Sequence, residues 1–581
     1  MSVILAETAG FCMGVKRAVD LVLDIAQHKG KANIYTYGPL IHNPQTVELL
    51  RNRGVIPISS LDEIPAAEPG ATLVIRAHGI SPDERRKIRE KGVRILDATC
   101  PKVAHVQAII KKHARKDYSI LIVGDAEHPE VIGLLGYAYG RGMILNSPDD
   151  VERLPDLERI CVVAQTTQNI DQFNEIVAAL RERFADAVVF DTICDSTDRR
   201  QSEVKRMADQ ADAVLVVGGR NSANTMQLVR LAELAGTPTF HIETAADLKN
   251  IPIHQFRRVG VSAGASTPNW IIDRVVDDLA AQKNNRSGPF RGLFLVWVSS
   301  VRMDLYSAFG AGCLSWVGML LQEIPVRPAN ILTSALFVYA MHTLNRFMSR
   351  KKAFIVGSFR EASYLRYQRF YLGAAVAALL LAWTGAFMAG PAPFVMLFLI
   401  SLLGGLYHMR VLPEGWRFRS LKDIPGSKNV STALAWAAVA AVLPRIEADL
   451  SLAPALIISF LFTFSIVFIR SALSDIMDIQ SDRLIGRETI PVLIGEEKTR
   501  LLVQGMAAAL SALLVAAYAA GWSSSLSLML LICVFYVWIC LKLCDRRSAV
   551  SAVVLEGLLE TNYVVAAAAA FVWLAAVRWM G

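Results

Sequence analysis

The sequence predicts an α/β domain over residues 1–281 and an all-α membrane domain of about nine transmembrane helices over residues 303–581, joined by a linker over residues 282–302. The first half alternates short Val-, Ile- and Leu-rich runs with amphipathic stretches, which is typical of parallel sheets covered by helices. The second half repeats apolar stretches long enough to cross a bilayer. At 581 residues and 53% hydrophobic content, the chain is too long for one domain and too apolar for a purely soluble protein.

The predicted strands of the first half include TLVIRAHG, SILIVGDAE, AVLVVGGRN and RVGVSAGAS, and each runs into a polar turn before a helical pattern. The N-terminal segment MSVILAETAG has neither a basic region nor a long apolar core, so it does not resemble a secretory signal. We therefore expect the cysteines to lie in the reducing cytoplasm, where disulfides are rare.

Three cysteines, Cys12, Cys100 and Cys194, lie in turns between a strand-like run and a helical pattern. A helix N-terminus favours thiolate, the form that binds metal. Three thiolates can hold three irons of a [4Fe-4S] cluster and leave the fourth iron open for substrate. Zinc is the alternative, although zinc ligands usually come in close pairs such as CxxC and no such pair joins these three. Cys161, within the apolar run RICVVA, fits a buried free cysteine instead.

Polar residues at the other predicted strand ends form a second candidate set. In α/β sheets such turns converge on the ligand crevice. Imidazoles, hydroxyls and turn amides together suit a diphosphate, and Glu130 could relay protons if a dry pocket raised its pKa. The alternative for a single histidine is a structural hydrogen-bonding role. The alternative for Glu130 by itself is an exposed glutamate at the start of a helix. The set is His42, His78, His128, Glu130, Thr166, Ser222, Asn224 and Ser266.

The motifs GFCMGV, RAHG, DATCP, HPEV, QTT, NSAN and SAGAS occur in this order, and together they resemble the 4-hydroxy-3-methylbut-2-enyl diphosphate reductase (LytB) family over residues 1–281. The resemblance implies three α/β lobes around a [4Fe-4S] cluster held by the three cysteines. It also implies that Glu130 and Thr166 lie beside the reacting hydroxymethyl group. The implied substrate-diphosphate ligands are His42, His78, His128, Ser222, Asn224 and Ser266.

The implied reaction is a reductive dehydroxylation that gives isopentenyl and dimethylallyl diphosphate, with Glu130 helping to protonate the leaving oxygen. The implied electron donor is a ferredoxin or a flavodoxin. The sequence departs from the family at the diphosphate turn, where Ala223 stands in place of a second serine. Since a hydrogen bond to a charged group contributes about 1.5–3 kcal/mol, we expect weaker diphosphate binding without loss of the chemistry.

Every second loop between the nine predicted spans is rich in basic residues, and the loops between them contain few. Basic residues concentrate after the second, fourth, sixth and eighth spans, so the even loops and the first half should face the cytoplasm, with the chain in the inner (cytoplasmic) membrane. The net charge of +8 then reflects topology, and no nucleic-acid partner is implied. The predicted spans lie near residues 304–324, 329–345, 370–389, 391–408, 429–445, 452–473, 501–520, 525–543 and 551–577.

After the sixth span, Asp475, Asp478 and Asp482 are spaced i, i+3, i+7, which on a helix places the carboxylates along one face. At a membrane boundary their repulsion is costly unless a cation lies between them, and Mg²⁺ bridging a diphosphate fits. The alternative is a solvated interfacial face. This segment, followed by RETIPVLIG, resembles the second Asp-rich motif of UbiA-like intramembrane prenyltransferases. The resemblance covers residues 290–581 and implies transfer of a prenyl group from a Mg²⁺-bound prenyl diphosphate to an acceptor.

The first Asp-rich motif of that family is altered here, because His342, Asn345 and Ser349 stand where carboxylates are expected. Asn345 could still offer a neutral oxygen to Mg²⁺. Arg350, with the basic residues after it, and Lys422 in the loop LKDIPGSKN could bind the diphosphate directly. Two alternatives stay open: the membrane half is a degenerate anchor or lipid-binding module, or prenyl transfer to a quinone or lipid acceptor is the main activity.

Overall fold

The computed structural model describes residues 2–28, 33–64, 71–282, 289–348, 367–407, 409, 420–424, 426–450, 453–485, 489–545 and 552–580. The chain divides into two compact units, Met1–Asn284 and Asn285–Gly581.

The first unit is built on three four-stranded sheets in which every pairing is parallel. The strands are β1 (Ser2–Leu5), β2 (Ile34–Tyr37), β3 (Val55–Ile58), β4 (Thr72–Ile75), β5 (Arg94–Asp97), β6 (Ser119–Val123), β7 (Gly142–Leu145), β8 (Ile160–Ala164), β9 (Val188–Val189), β10 (Ala213–Val217), β11 (Thr239–Ile242) and β12 (Arg258–Ala263). Their orders are β1-β12-β10-β11, β3-β2-β4-β5 and β7-β6-β8-β9. Three separate sheets agree with the three expected α/β lobes.

Helices connect the parallel strands and cover the sheets. They are α1 (Met13–His28), α2 (Pro44–Arg51), α3 (Pro82–Glu90), α4 (Pro101–Ala114), α5 (Pro129–Leu135), α6 (Asp149–Glu152), α7 (Ile170–Arg183), α8 (Asp195–Gln210), α9 (Ala223–Leu234) and α10 (Asn269–Gln282). The central strands β4, β8 and β10 are buried along their whole length. Strands that are covered on both faces have continuous apolar sequences. This explains why β4, β8 and β10 have the almost uninterrupted apolar sequences TLVI, ICVVA and AVLVV.

Strand register and proline placement together position the functional turns. Ile75 pairs with Asp97, and Val123 pairs with Ala164, so the turns that follow neighbouring strands lie side by side. Proline restricts the residue before it to extended backbone and starts a helix without needing an N–H acceptor. Cys100 therefore caps α4 in an extended conformation.

The second unit is all-helical in its described residues. Its helices are α11 (Pro289–Arg302), α12 (Leu305–Leu321), α13 (Pro328–Met348), α14 (Gln368–Ala389), α15 (Pro391–Leu406), α16 (Ser427–Ala437), α17 (Leu443–Glu447), α18 (Pro454–Met477), α19 (Ile479–Ile485), α20 (Ile490–Ile494), α21 (Glu496–Ala519), α22 (Leu526–Met529), α23 (Leu531–Asp545) and α24 (Ala552–Met580). A π-helical turn, Ala438–Val442, joins α16 to α17.

Within the described ranges, six helices are long and apolar enough to cross a membrane, or seven if α11 and α12, bent by 86°, count as one span. Each of the nine predicted apolar segments overlaps a helix. The helix α15 is apolar, but with 16 residues it is shorter than these six. These helices show a multi-pass membrane domain, whereas the number of nine spans stays a prediction.

Candidate functional site

The three cysteines lie at equivalent places in the three lobes of the first unit. Each follows a strand and directly precedes a helix, and its backbone N–H donates to a carbonyl in the turn after the neighbouring strand. These turns contain the predicted substrate residues Ser266, His78 and Thr166. The bonds run from Cys12 to Ala265 (3.1 Å), from Cys100 to Ala77 (2.9 Å) and from Cys194 to Thr166 (3.0 Å).

The three thiols share one region of the structure. A Cβ atom added to Gly14 would lie 2.6 Å from Cys100 Sγ and 3.9 Å from Cys12 Sγ, so only a glycine leaves space for both sulfurs. Cys12 and Cys194 also both lie within electrostatic range of Cys100. The Val15 N–H lies 3.4 Å from Cys12 Sγ, as expected for a sulfur at a helix N-terminus.

The donor set fits a metal cluster better than a single zinc ion. Zn–S bonds of about 2.3 Å would bring the sulfurs within about 4 Å of one another. Among the described residues, the group whose ligand atoms all lie within 4.8 Å of one another consists of histidines, not of these cysteines. Cys161 lies fully buried in β8, and burial raises the pKa of its thiol to about 12, so it agrees with the expected inert free cysteine.

Arg200 supports the cysteine region and was not identified from the sequence. Its guanidinium is buried and donates to the carbonyls of Gly10 (2.8 Å) and Ala263 (3.2 Å), and it also contacts Thr8. It lies within electrostatic range of Cys12 and Cys194. The side chain therefore fixes the turn before Cys12 and adds a positive charge near the sulfur atoms of Cys12 and Cys194.

The predicted histidines His42, His78 and His128 form a compact group. Their ring centroids are 5.0 Å (42–78), 5.3 Å (78–128) and 6.4 Å (42–128) apart. Burial lowers the pKa of all three, to about 4 for His128, and the positive charge of Arg76 lowers each pKa further. Because a guanidinium repels a metal cation and attracts an anion, the group fits a phosphate better than a metal.

Hydroxyl and amide donors from another lobe lie beside His42. Ser266 Oγ donates to His42 O (3.4 Å) and lies 3.3 Å from Ser222 Oγ. Gly219 packs against the same turn, since a Cβ there would lie 2.5 Å from His42 O. The amide nitrogen of Asn224 and Nε2 of His42 are buried and have no hydrogen-bond partner among the residues that the structure describes. Buried donors of this kind require an acceptor, and diphosphate oxygens would supply it.

Glu130 and Thr166 lie together, as expected from the sequence. The Glu130 carboxylate accepts from the Thr166 backbone N–H (2.7 Å) and from Thr166 Oγ1 (2.9 Å). Burial raises the pKa of Glu130 to about 7 despite these bonds. The Glu130 N–H donates to His128 Nδ1 (3.2 Å), so a neutral His128 holds its proton on Nε2. Because the Thr166 carbonyl also accepts from Cys194, one residue connects the candidate acid to the cysteine region.

The second unit gathers the three aspartates where α18 ends. Asp475 and Asp482 are buried, and Asp478 caps α18. The single helical face expected from the spacing is interrupted, because Asp478 separates α18 from α19. Asp475 pairs with Lys428 at 2.6 Å. Asp475, Asp482 and Lys428 all lie within electrostatic range of Asp478.

A small cavity lies one helical turn from Asp475. Arg470 forms ion pairs with Glu556 (3.1 Å) and Glu560, and Ser307 donates to Glu560 (2.5 Å). Buried ionisable groups in a membrane domain are costly and usually mark a functional region. The lining residues are Ser307, His342, Thr432, Trp436, Val467, Arg470, Ser471, Glu560 and Tyr563.

Of the remaining residues predicted for the membrane-domain site, one lines the cavity, two are described but do not line it, and two are not described by the structure. His342 lines the cavity, and the side-chain oxygen of Asn345 is buried without a hydrogen-bond partner in the described part of the chain. Lys422 is exposed in a short turn, and it is Lys428 that contacts Asp475. Ser349 and Arg350 lie outside the described residues.

Comparison with known proteins identifies both halves. Residues 3–280 match the LytB protein family, and residues 365–556 match the UbiA prenyltransferase family. A 4-hydroxy-3-methylbut-2-enyl diphosphate reductase from Opitutus terrae is 44% identical over 289 residues, covering 48% of this chain and all of that protein. A reductase of the same name from Citrifermentans bemidjiense is 44% identical over 281 residues, covering 48% of this chain and 98% of that protein.

A solved structure resembles the first half of the chain. The E-1-hydroxy-2-methyl-but-2-enyl-4-diphosphate reductase from Plasmodium falciparum has a TM-score of 0.46 at 29% identity, covering 50% of this chain and 89% of its own. The family matches and the 44% identity to the Opitutus terrae reductase show that the chain belongs to the LytB family of 4-hydroxy-3-methylbut-2-enyl diphosphate reductases and contains a UbiA prenyltransferase family domain in its C-terminal half.

Proposed function

We propose a two-part enzyme of isoprenoid biosynthesis. Its N-terminal half reduces 4-hydroxy-3-methylbut-2-enyl diphosphate to isopentenyl and dimethylallyl diphosphate. The reaction breaks one C–O bond, takes up two electrons and two protons, and releases water. The observation that supports this most directly is the connection of the buried acid Glu130, through Thr166, to Cys194, next to a group of three clustered histidines.

Cys12, Cys100 and Cys194 would hold a [4Fe-4S] cluster, which when bound supplies electrons and a Lewis-acidic iron at the site. His42, His78, Ser222, Asn224 and Ser266 would bind the substrate diphosphate through N–H and O–H donors.

Glu130 would supply the proton that leaves with the hydroxyl oxygen. Its pKa of about 7 lets it hold that proton near neutral pH. The two bonds from Thr166 hold both carboxylate oxygens, so they fix the orientation of the acid. His128 accepts from the Glu130 backbone, which places its Nε2–H as a donor for the substrate.

Substitution of one cysteine tests the assignment. In the anaerobically purified full chain, Cys100→Ser should lower bound iron and abolish reduction of the substrate by dithionite and a viologen. Cys161→Ser is the matched control, because that thiol is buried in a strand and should not contribute to either measurement. Full activity in Cys100→Ser, or equal iron loss in both variants, would refute the cluster assignment.

The membrane half is proposed to transfer a prenyl group. Asp475, Asp478 and Asp482 would hold Mg²⁺ and with it a prenyl diphosphate. Product formation from labelled dimethylallyl or geranyl diphosphate with a membrane lipid extract, with Mg²⁺ and with chelator, tests this activity.

The location of the protein follows from the same proposal. The chain would lie in the cytoplasmic membrane with its reductase half on the cytoplasmic side, where a ferredoxin or flavodoxin can supply electrons. Described basic residues at the ends of the membrane helices agree with this orientation. The loop residues from Arg350 to Arg366 and from Arg410 to Arg419, on which much of the charge asymmetry depends, lie outside the described ranges.

A further inference from the structure

The helix ends that follow the three cysteines form one surface, here called the cysteine-end surface. It consists of residues 13–17 of α1, 101–105 of α4 and 195–199 of α8. Two contacts join its parts: Arg17 donates to the Thr99 carbonyl at 3.0 Å, and Lys102 pairs with Asp195 at 3.1 Å. Since Thr99 precedes Cys100 directly, this surface surrounds the cysteine region.

The surface contains one large exposed apolar side chain among its described residues. Met13, the residue after Cys12, is 68% exposed. Methionine is a flexible side chain that adapts to varied partner surfaces. An exposed apolar residue within a polar rim is the arrangement found at protein interfaces.

The rim of the surface is mainly basic. The fifteen positions of the surface hold four Lys or Arg residues and two Asp residues. Lys16, Arg17 and Arg199 are exposed, and the Lys102 side chain is 44% exposed beside its Asp195 partner. Such a rim attracts an acidic partner over a distance set by the ionic strength.

The reaction needs two electrons from outside the chain, and each of the three segments of this surface begins at the residue that follows a candidate cluster ligand. We propose that the cysteine-end surface docks a small acidic electron-carrier protein, with Met13 as an apolar contact and the basic side chains as charged contacts. Interfaces for electron transfer are small and short-lived, which suits one apolar contact and a few charges. The proposal rests on the reductase function proposed above.

Charge reversal tests the docking. The double variant Lys16→Glu, Arg199→Glu should lower turnover supported by an acidic [2Fe-2S] ferredoxin by about tenfold or more at low salt. Turnover with dithionite and a viologen should stay unchanged, because a small reductant does not need the surface. Added NaCl should lower the ferredoxin-supported turnover of the parent protein much more than the ferredoxin-supported turnover of the variant.

A matched control and a binding measurement complete the test. Lys111→Glu, Arg230→Glu reverses two exposed charges on α4 and α9 and should behave as the parent protein. Affinity for oxidised ferredoxin, measured by calorimetry on the full chain, should fall only in the first double variant. Equal effects of both double variants, or unchanged ferredoxin affinity in the first, would overturn the docking proposal. Absence of viologen-supported reduction in the parent protein would instead refute the reductase function, and the affinity measurement would still decide the docking.

Discussion

The Glu130 carboxyl group holds a proton near neutral pH because burial disfavours its charged form. With a pKa raised to about 7, the group is mostly protonated below that pH and ionised above it. If Glu130 donates the proton to the leaving oxygen, viologen-supported turnover should fall as the pH rises through about 7. Glu130→Gln, which cannot donate an acidic proton, should lower turnover by about 10²–10⁴-fold and remove this pH dependence.

Thr166→Ser provides the control for this measurement, because serine keeps the hydroxyl that donates to Glu130. It should retain the decline above pH 7 and most of the turnover. A Glu130→Gln protein with the parent pH profile would show that another group supplies the proton.

At the scale of elements, the fit of α1 against the Cys100 turn depends on Gly14. A Cβ at this position would lie 2.6 Å from Cys100 Sγ, well inside van der Waals contact. Gly14→Ala should therefore displace Cys100, which we propose as a cluster ligand, and most of the iron should be lost from the anaerobically purified protein. Iron and sulfide analysis with near-ultraviolet absorption would measure the loss.

Gly133→Ala is the matched control, because it lies within α5 and its added Cβ would meet Ile80 at an ordinary distance of 3.6 Å. Alanine also favours helix over glycine by about 1 kcal/mol, so this control should fold at least as well as the parent. Equal iron content in the two variants would show that α1 does not pack against Cys100 as described.

The turns that contain Cys100 and His128 could be predicted because their signals are local. A proline after each residue fixes extended backbone and a helix start, and apolar runs locate the preceding strands. The contacts of Arg200 could not be predicted from local signals, because Arg200 bonds to Gly10, which is 190 residues away in the chain. The pairing of Lys428 with Asp475 and the end of α18 at Met477 likewise depend on how helices pack.

For the whole molecule, hydropathy located the two classes of domain but did not fix how many segments cross the membrane. Helix length, bends and packing decide that number. The helix α15 is short, and α11 meets α12 at 86°, although both lie in apolar sequence. The two activities can nevertheless be treated separately, because a reductase such as that of Opitutus terrae is covered completely by the first half of this chain.

Separate substitutions should therefore dissociate the two activities of the full chain. Asp478→Asn removes a carboxylate near Asp475 and Asp482, which weakens binding of a divalent cation. In lipid nanodiscs it should remove Mg²⁺-dependent product formation from labelled prenyl diphosphate and leave viologen-supported reduction unchanged. Glu497→Gln, an exposed carboxylate at the start of α21, should change neither rate. Transfer that persists in Asp478→Asn would exclude this carboxylate from catalysis, and a parallel loss of reduction would show that the halves are coupled.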